Sequence, residues 1–203
     1  MSIRVNKNEI PSTVLEAKRW WRSKIREAQR ELSDAYMTEA SGAITKSVMH
    51  LREYRDAKTV MLYVNAGKEV ITRTLMDAAS RAGKTVCLPL CYDTENYLMD
   101  ARLWNADHKL VAGAYGIPEP APDAPIIEPK DIDLVILPCM SCDDNCNRLG
   151  HGVGYYDRYL THLRDDCKLV ALCYDKILIE QVPTEPHDRP VDAVITEENI
   201  YGK

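Results

Sequence analysis

Nowhere in these 203 residues does an apolar run approach the roughly 18 residues that a membrane-spanning helix needs. The opening stretch, residues 1–9, contains no apolar segment of the kind that directs export. Membrane spanning and secretion are therefore not expected, and the expectation is a cytoplasmic protein. Excess positive charge is missing too. The net charge is −5 and the pI about 5.6, which argues against a general nucleic-acid binder. An anionic ligand would have to be drawn by a local basic patch, not by the field of the whole chain. Internal repeats, low-complexity tracts and long charged runs are absent, so residues 1–203 read as one α/β domain with a substantial core. No Ser/His/Asp order or His-rich metal spacing stands out, because the five histidines (50, 108, 151, 162 and 187) are scattered.

Cysteine is plentiful by comparison. Seven is an odd number and high for the length, and without an export segment reduced thiols are expected. Cys139, Cys142 and Cys146 form the single cluster in sequence. Three thiolates can begin a zinc or iron–sulfur site, but no fourth ligand lies nearby and a paired CxxC spacing is absent. Small buried side chains at a strand end are the simpler reading.

What the chain does have is Asn147-Arg148-Leu149-Gly150-His151-Gly152-Val153-Gly154-Tyr155-Tyr156-Asp157. Glycines on alternate positions let a backbone turn sharply and bring its N–H groups close to a bulky anion. A helix expected over 154–163 would add unpaired N–H groups and a positive dipole end. Arg148 offers a fixed fork for phosphate, and Asp157 a carboxylate for a magnesium ion. The pattern lacks the lysine and Ser/Thr of a P-loop, and its spacing is not a dinucleotide fingerprint. Glycine-rich turns without a ligand are common, so spacing alone leaves both readings open.

Position favours the phosphate. Helical spacing is expected over 14–32, with Leu15, Trp21, Ile25, Ala28 and Leu32 recurring, and over 34–51, with Ser33 and Asp34 as a cap. The period then changes. Strands are expected at 59–64 and 85–90 around a helix at 72–82 that ends at Gly83. Residues 97–104 alternate weakly, and prolines 118, 120, 122, 125 and 129 make 113–129 an ordered loop at most. Further strands are expected at 134–137, 169–174 and 193–196. This β–α–β order predicts right-handed parallel units. It puts the glycine loop at a strand's carboxyl end, where open α/β sheets place ligands.

Other charged residues admit two readings each. Lys18 and Arg22 share a helical face and either clamp a phosphate chain or belong to a solvated basic face. Glu69, just past a strand end, either reads a donor-rich heterocycle or favours a helix entry. Asp188 and Asp192 lie in a proline-stiffened loop, where carboxylates are usually solvated.

Assembled, these residues make the chain resemble the 5-formyltetrahydrofolate cyclo-ligase family, also called methenyltetrahydrofolate synthetases. The core of the resemblance is Arg148 to Asp157. It is joined by Lys18-Arg19-Trp20-Trp21-Arg22, Glu69-Val70-Ile71-Thr72, Gly116-Ile117-Pro118-Glu119-Pro120, and Val182-Pro183 with His187-Asp188 and Val191-Asp192. The resemblance spans about residues 15–198. It implies a three-layer α/β/α sandwich around a mostly parallel sheet, and ATP- and Mg2+-dependent closure of 5-formyltetrahydrofolate to 5,10-methenyltetrahydrofolate. Lys18, Arg22, Arg148, Leu149, Gly150, His151, Gly152, Val153, Gly154, Tyr155 and Tyr156 are implied as nucleotide contacts, with Arg148 and Lys18 acting on the moving phosphoryl group. Val64, Glu69, Tyr155 and Tyr156 are implied to touch folate, Glu69 holding the pterin, and Asp157 and Asp188 to hold magnesium. The implied partners are small molecules, neither nucleic acid nor membrane, and a monomer is expected. Val153 departs from the glycine or lysine usual in the family, and Cys142 and Cys146 from phenylalanine and glycine. A non-catalytic folate- or nucleotide-binding paralogue is the alternative, and retention of the cations together with Asp157 and Asp188 favours catalysis over it.

Overall fold

A computed structural model describes residues 3–107, 109–186 and 188–202; His108 and His187 lie outside the described residues. Helix α1, Val14–Arg30, begins at Thr13. The Thr13 side chain accepts from the N–H of Glu16 at 3.4 Å and donates to its carboxylate at 2.6 Å, a reciprocal cap. Helix α2, Asp34–His50, is capped by the Ser33 hydroxyl at the N–H of Tyr36. A short α3, Arg52–Asp56, leads into β1, Thr59–Met61, and α4, Arg73–Arg81, returns the chain to β2, Thr85–Asp93. Strand β3, Leu98–Trp104, pairs antiparallel with β2. Next come β4, Val111–Ala112, and β5, Pro118–Glu119, as a small hairpin, and β6, Ile126–Ile127, on the edge of the main sheet.

Strand β7, Leu134–Leu137, is buried at all four residues. A hairpin of β8, Ser141–Cys142, and β9, Arg148–Leu149, then carries the chain to the glycine loop and α5, Tyr155–Tyr159. Strands β10, Lys168–Leu172, β11, Ala193–Ile195, and β12, Ile200–Gly202, complete the chain. The main sheet runs β12-β11-β10-β7-β1-β2-β3-β6. Its five central strands, β11 through β2 in that order, are parallel, and the outer pairings are antiparallel.

From β1 the chain crosses to β2 in one direction, and from β7 to β10 in the other. Right-handed crossovers, the hand that strand twist imposes, then put α4 and α5 on opposite faces. Covered on both faces, β7 is the continuous apolar run that its sequence shows. The result is the α/β/α sandwich expected. Because β2 and β7 flank β1 on either side, the loops leaving β1 and β7 diverge and open a crevice at the carboxyl ends of the strands.

Several local expectations need correction. The helix expected over 154–163 is a five-residue α-helix followed by a 3-10 turn at Leu160–His162. The hairpin of β8 and β9, and β12, are too short to leave a period in the sequence. The proline-rich segment holds β5 and β6, which the prolines permit because both strands lie at edges. All seven cysteines are free thiols. Among the described residues no helix is long and apolar enough to cross a membrane.

Candidate active site

The crevice beside β1 holds a cavity of about 420 Å³, within the range of small-molecule sites. Lys18, Arg22, Val64, Glu69, the run from Arg148 to Asp157, and Asp188 all line it. Residues spread over most of the chain thus meet at one place. Helix α1 is brought there by a small second core, in which Trp21 and Ile25 pack with Met140, Leu149, Ile179 and Val182. Leu149 is therefore a buried anchor under the loop, and Lys18 and Arg22 flank Trp21 on the helix that it holds.

Within the loop, Gly152 has φ of +100° and Gly154 of +84°. Both lie where a side chain is strained. A Cβ on Gly152 would also sit 3.0 Å from the Arg22 guanidinium carbon. Gly150 is different: its backbone is not left-handed, and a Cβ there would meet nothing within 4 Å. Val153 is not among the described non-glycine residues with positive φ, so its branched side chain suits its backbone. Arg22 Nε donates to the Gly150 carbonyl at 2.9 Å and pins the loop to α1. Among the described residues, the N–H groups of Gly150 through Gly154 have no acceptor within the protein. These donors, more than the dipole of so short a helix, are what the loop offers to an anion.

The cations differ in their readiness for an anion. Lys18 Nζ lies 2.6 Å from an Asp188 oxygen and 2.9 Å from a Glu185 oxygen. Burial works against its charge, but the two carboxylates outweigh burial and hold the ammonium above its ordinary pKa. Arg22 is pushed the other way, by burial and by the like charges of Arg26 and Arg19. Among the described residues it has no carboxylate within ion-pair distance. Arg22 is therefore the cation that gains most from an incoming phosphate. The Arg148 side chain is 7% exposed, donates to the Arg189 carbonyl at 3.1 Å, and is paired with Asp157.

At the other end, the Glu69 side chain is 6% exposed, and its carboxylate is held from two sides. One oxygen accepts the Ala66 N–H at 2.8 Å, and the other is 2.7 Å from His151 Nε2. The imidazole of the glycine loop thus faces the Glu69 side of the cavity, while the loop backbone is left for an anion. Tyr155 lies edge-on to Tyr97 and Tyr115 at 5.7 and 6.1 Å, and the Tyr156 hydroxyl is buried with no partner among the described residues. Tyr115, Tyr155 and Tyr156, together with Val64, Met99 and Ile117, form a largely apolar wall suited to a flat heterocycle.

Tyr97, Tyr115, Glu119, Glu185 and Arg189 were not singled out from sequence. Glu119 stands in the matched segment Gly116–Pro120 and was the one to find; it is buried and accepts the Cys91 N–H at 3.3 Å. Tyr97 and Tyr115 adopt left-handed backbones, which no tyrosine announces in advance. Asp192, by contrast, caps the Leu169 N–H at 2.8 Å and does not line the cavity.

The cysteines behave as packing. Cys139 and Cys142 have their sulfurs 3.4 Å apart, and Cys173, from the end of β10, joins them in a group whose sulfurs all lie within 4.8 Å. Cys146 is not part of it. No fourth donor completes the group among the described residues. Burial raises the Cys142 and Cys173 thiols, while their hydrogen bonds lower that of Cys139.

Residues 14–197 match the model of the 5-formyltetrahydrofolate cyclo-ligase family. The chain is 30% identical over 173 residues to the 5-formyltetrahydrofolate cyclo-ligase of Haemophilus influenzae, covering 84% of this chain and 92% of that protein. To the enzyme of the same name from Mus musculus it is 27% identical over 196 residues, covering 92% and 97% of the two chains. Among solved structures, the 5,10-methenyltetrahydrofolate synthetase of Aquifex aeolicus superposes with a TM-score of 0.81 at 28% identity, over 91% of this chain and 92% of that one.

Proposed function

The chain belongs to the 5-formyltetrahydrofolate cyclo-ligase family, and we propose that it closes 5-formyltetrahydrofolate to 5,10-methenyltetrahydrofolate, converting ATP to ADP and phosphate. It is a ligase of one-carbon metabolism. One observation carries the reading: a loop of N–H groups without acceptors among the described residues and a buried, pre-oriented carboxylate line the same cavity and are hydrogen-bonded to each other. We place it in the cytoplasm, as one domain over residues 1–203 acting as a monomer.

The formyl oxygen on N5 is a poor leaving group. Its attack on the γ-phosphorus releases ADP and converts it into a phosphate ester. The N10 lone pair then forms the new C–N bond, the C–O bond to phosphate breaks, and N10 gives up its proton. Little covalent chemistry falls to the protein, so positioning and charge stabilisation account for the catalysis. In this reading Arg22 and the N–H groups of residues 150–154 hold the polyphosphate, and Arg148 and Lys18 face the transferred group. Glu69 accepts the donor edge of the pterin, and Val64, Tyr155 and Tyr156 contact its rings.

Asp157 and Asp188 have the hard oxygen donors that magnesium takes, and both line the cavity. The Asp157 side chain is 51% exposed, so it can turn from Arg148 toward an ion. A magnesium ion held by Asp157 and Asp188 would supply positive charge to offset that of the phosphate. Ring closure, followed by the absorbance of the methenyl product, is expected to require ATP and to stop in excess chelator. Asp157→Asn should lower kcat far more than it lowers thermal stability, because its pair with Arg148 is half exposed on the carboxylate side. Full turnover in chelator would remove the metal assignment.

Arg22→Ala should weaken ATP binding by roughly ten- to a hundredfold, the loss of one charge-assisted contact of about 1.5–3 kcal/mol. Its melting temperature should fall only slightly, because among the described residues the change removes one hydrogen bond to the Gly150 carbonyl and no ion pair. Lys18→Ala should also weaken ATP, but with a lower melting temperature, since it leaves Glu185 and Asp188 without their shared cation. Calorimetric titration and a thermal melt separate the two. Unchanged ATP affinity in both would return this face of α1 to solvent.

A further inference from the structure

The hydrogen bond from His151 to Glu69 joins the two halves of the site, and nothing in the reaction itself calls for it. Glu69 is a long side chain with three rotatable torsions. The Ala66 N–H fixes one of its oxygens, and His151 Nε2 fixes the other at 2.7 Å. A carboxylate has about four lone-pair sites, so both anchors leave room for donors from a ligand. The anchors differ in rigidity. Ala66 and Glu69 belong to one tight turn, closed by the Glu69 N–H on the Ala66 carbonyl at 3.1 Å. His151 stands between Gly150 and Gly152, in the segment whose N–H groups lack acceptors, and the imidazole is half exposed. Among the described residues the segment is held by its carbonyls, Gly150 accepting from Arg22 at 2.9 Å and Val153 from Arg158 at 3.0 Å, and not by its N–H groups. An anion that takes up those N–H groups orders the segment carrying the imidazole.

We propose that His151 is a positioning residue that couples the two substrates: phosphate on the glycine loop sets the imidazole that orients Glu69, so each substrate tightens the binding of the other. The inference rests on the reading of the loop as the ATP site and of Glu69 as the pterin ligand. Coupling of this kind is reciprocal, and the factor by which ATP tightens folate must equal that by which folate tightens ATP. One hydrogen bond to a charged group limits it to roughly ten- to a hundredfold, and the half-exposed imidazole puts it at the lower end.

The test uses the full chain, magnesium, 5-formyltetrahydrofolate and an ATP analogue with a non-transferable γ-phosphate, so that no ring closes. Calorimetry gives the affinity of each ligand alone and in the presence of the other. In the wild type each should tighten the other about tenfold. In His151→Ala both should still bind, with the coupling factor near one. His151→Gln, which retains a side-chain N–H donor, should recover part of it. A merely structural role would weaken both ligands without touching the ratio. Coupling that persists in His151→Ala, or wild type that binds both ligands independently, overturns the proposal. Wild type that does not bind 5-formyltetrahydrofolate at all overturns the substrate reading, and the coupling with it.

Discussion

Arg148→Ala is expected to lower kcat/KM by roughly 10²–10³, the cost of losing one preorganised charge aimed at a transition state. The Arg148 side chain is buried to 7% exposure and donates to the Arg189 carbonyl at 3.1 Å, an anchor it keeps when Asp157 turns to an ion, so its fork is set before the substrate arrives. In the proposed reading it faces a phosphoryl group whose charge spreads over three oxygens as it moves, and a fixed cation stabilises that state without reorganisation. Arg148→Lys separates charge from geometry. Lysine keeps the charge and loses the planar fork, so it should recover only part of the activity. A purely structural role would appear as a lower melting temperature in both variants with kcat/KM restored by lysine. Activity of Arg148→Ala within about threefold of wild type would remove Arg148 from the reaction.

Glu69→Gln should weaken 5-formyltetrahydrofolate by roughly ten- to a hundredfold while ATP affinity, measured alone, stays near wild type. In the free protein the substitution is tolerated. The glutamine oxygen can keep the Ala66 N–H, and its amide can face His151 if the imidazole changes tautomer and accepts at Nε2. The pterin has no such freedom. It presents donors, and an amide N–H set against them in a nearly dry pocket costs about 1–3 kcal/mol. Thermal stability near wild type, with folate affinity lost, is therefore the expected signature. A selective loss of ATP would place Glu69 in the wrong half of the site.

Much of this was legible from local sequence, because the interactions concerned are local. Ser33 caps its helix three residues ahead, and the helical spacing of Trp21 and Ile25 follows from 3.6 residues per turn. The unbroken run 134–137 announces a strand covered on both faces. Strict alternation of glycine misled in one respect. Gly152 and Gly154 occupy left-handed backbone, whereas Gly150 does not and has room for a side chain. Local order also failed where elements are very short. The hairpin of β8 and β9 has two residues to a strand, and their stability comes from the sheet and core around them.

Residue identity along the chain determined the strands, the glycine loop and the stock of cations and carboxylates, since each is set by interactions a few residues long. Partnership was decided only in three dimensions. Lys18 meets Asp188 at 170 residues' separation, His151 meets Glu69 at 82, and Cys173 joins Cys139 and Cys142 from the end of a different strand. Such pairs exist because β2 and β7 flank β1 on opposite sides, which puts the loops leaving β1 and β7 at one crevice. Strand order is a property of the packed sheet. Until the sheet forms, closing loops of that length costs conformational entropy that no single pair of side chains can offset.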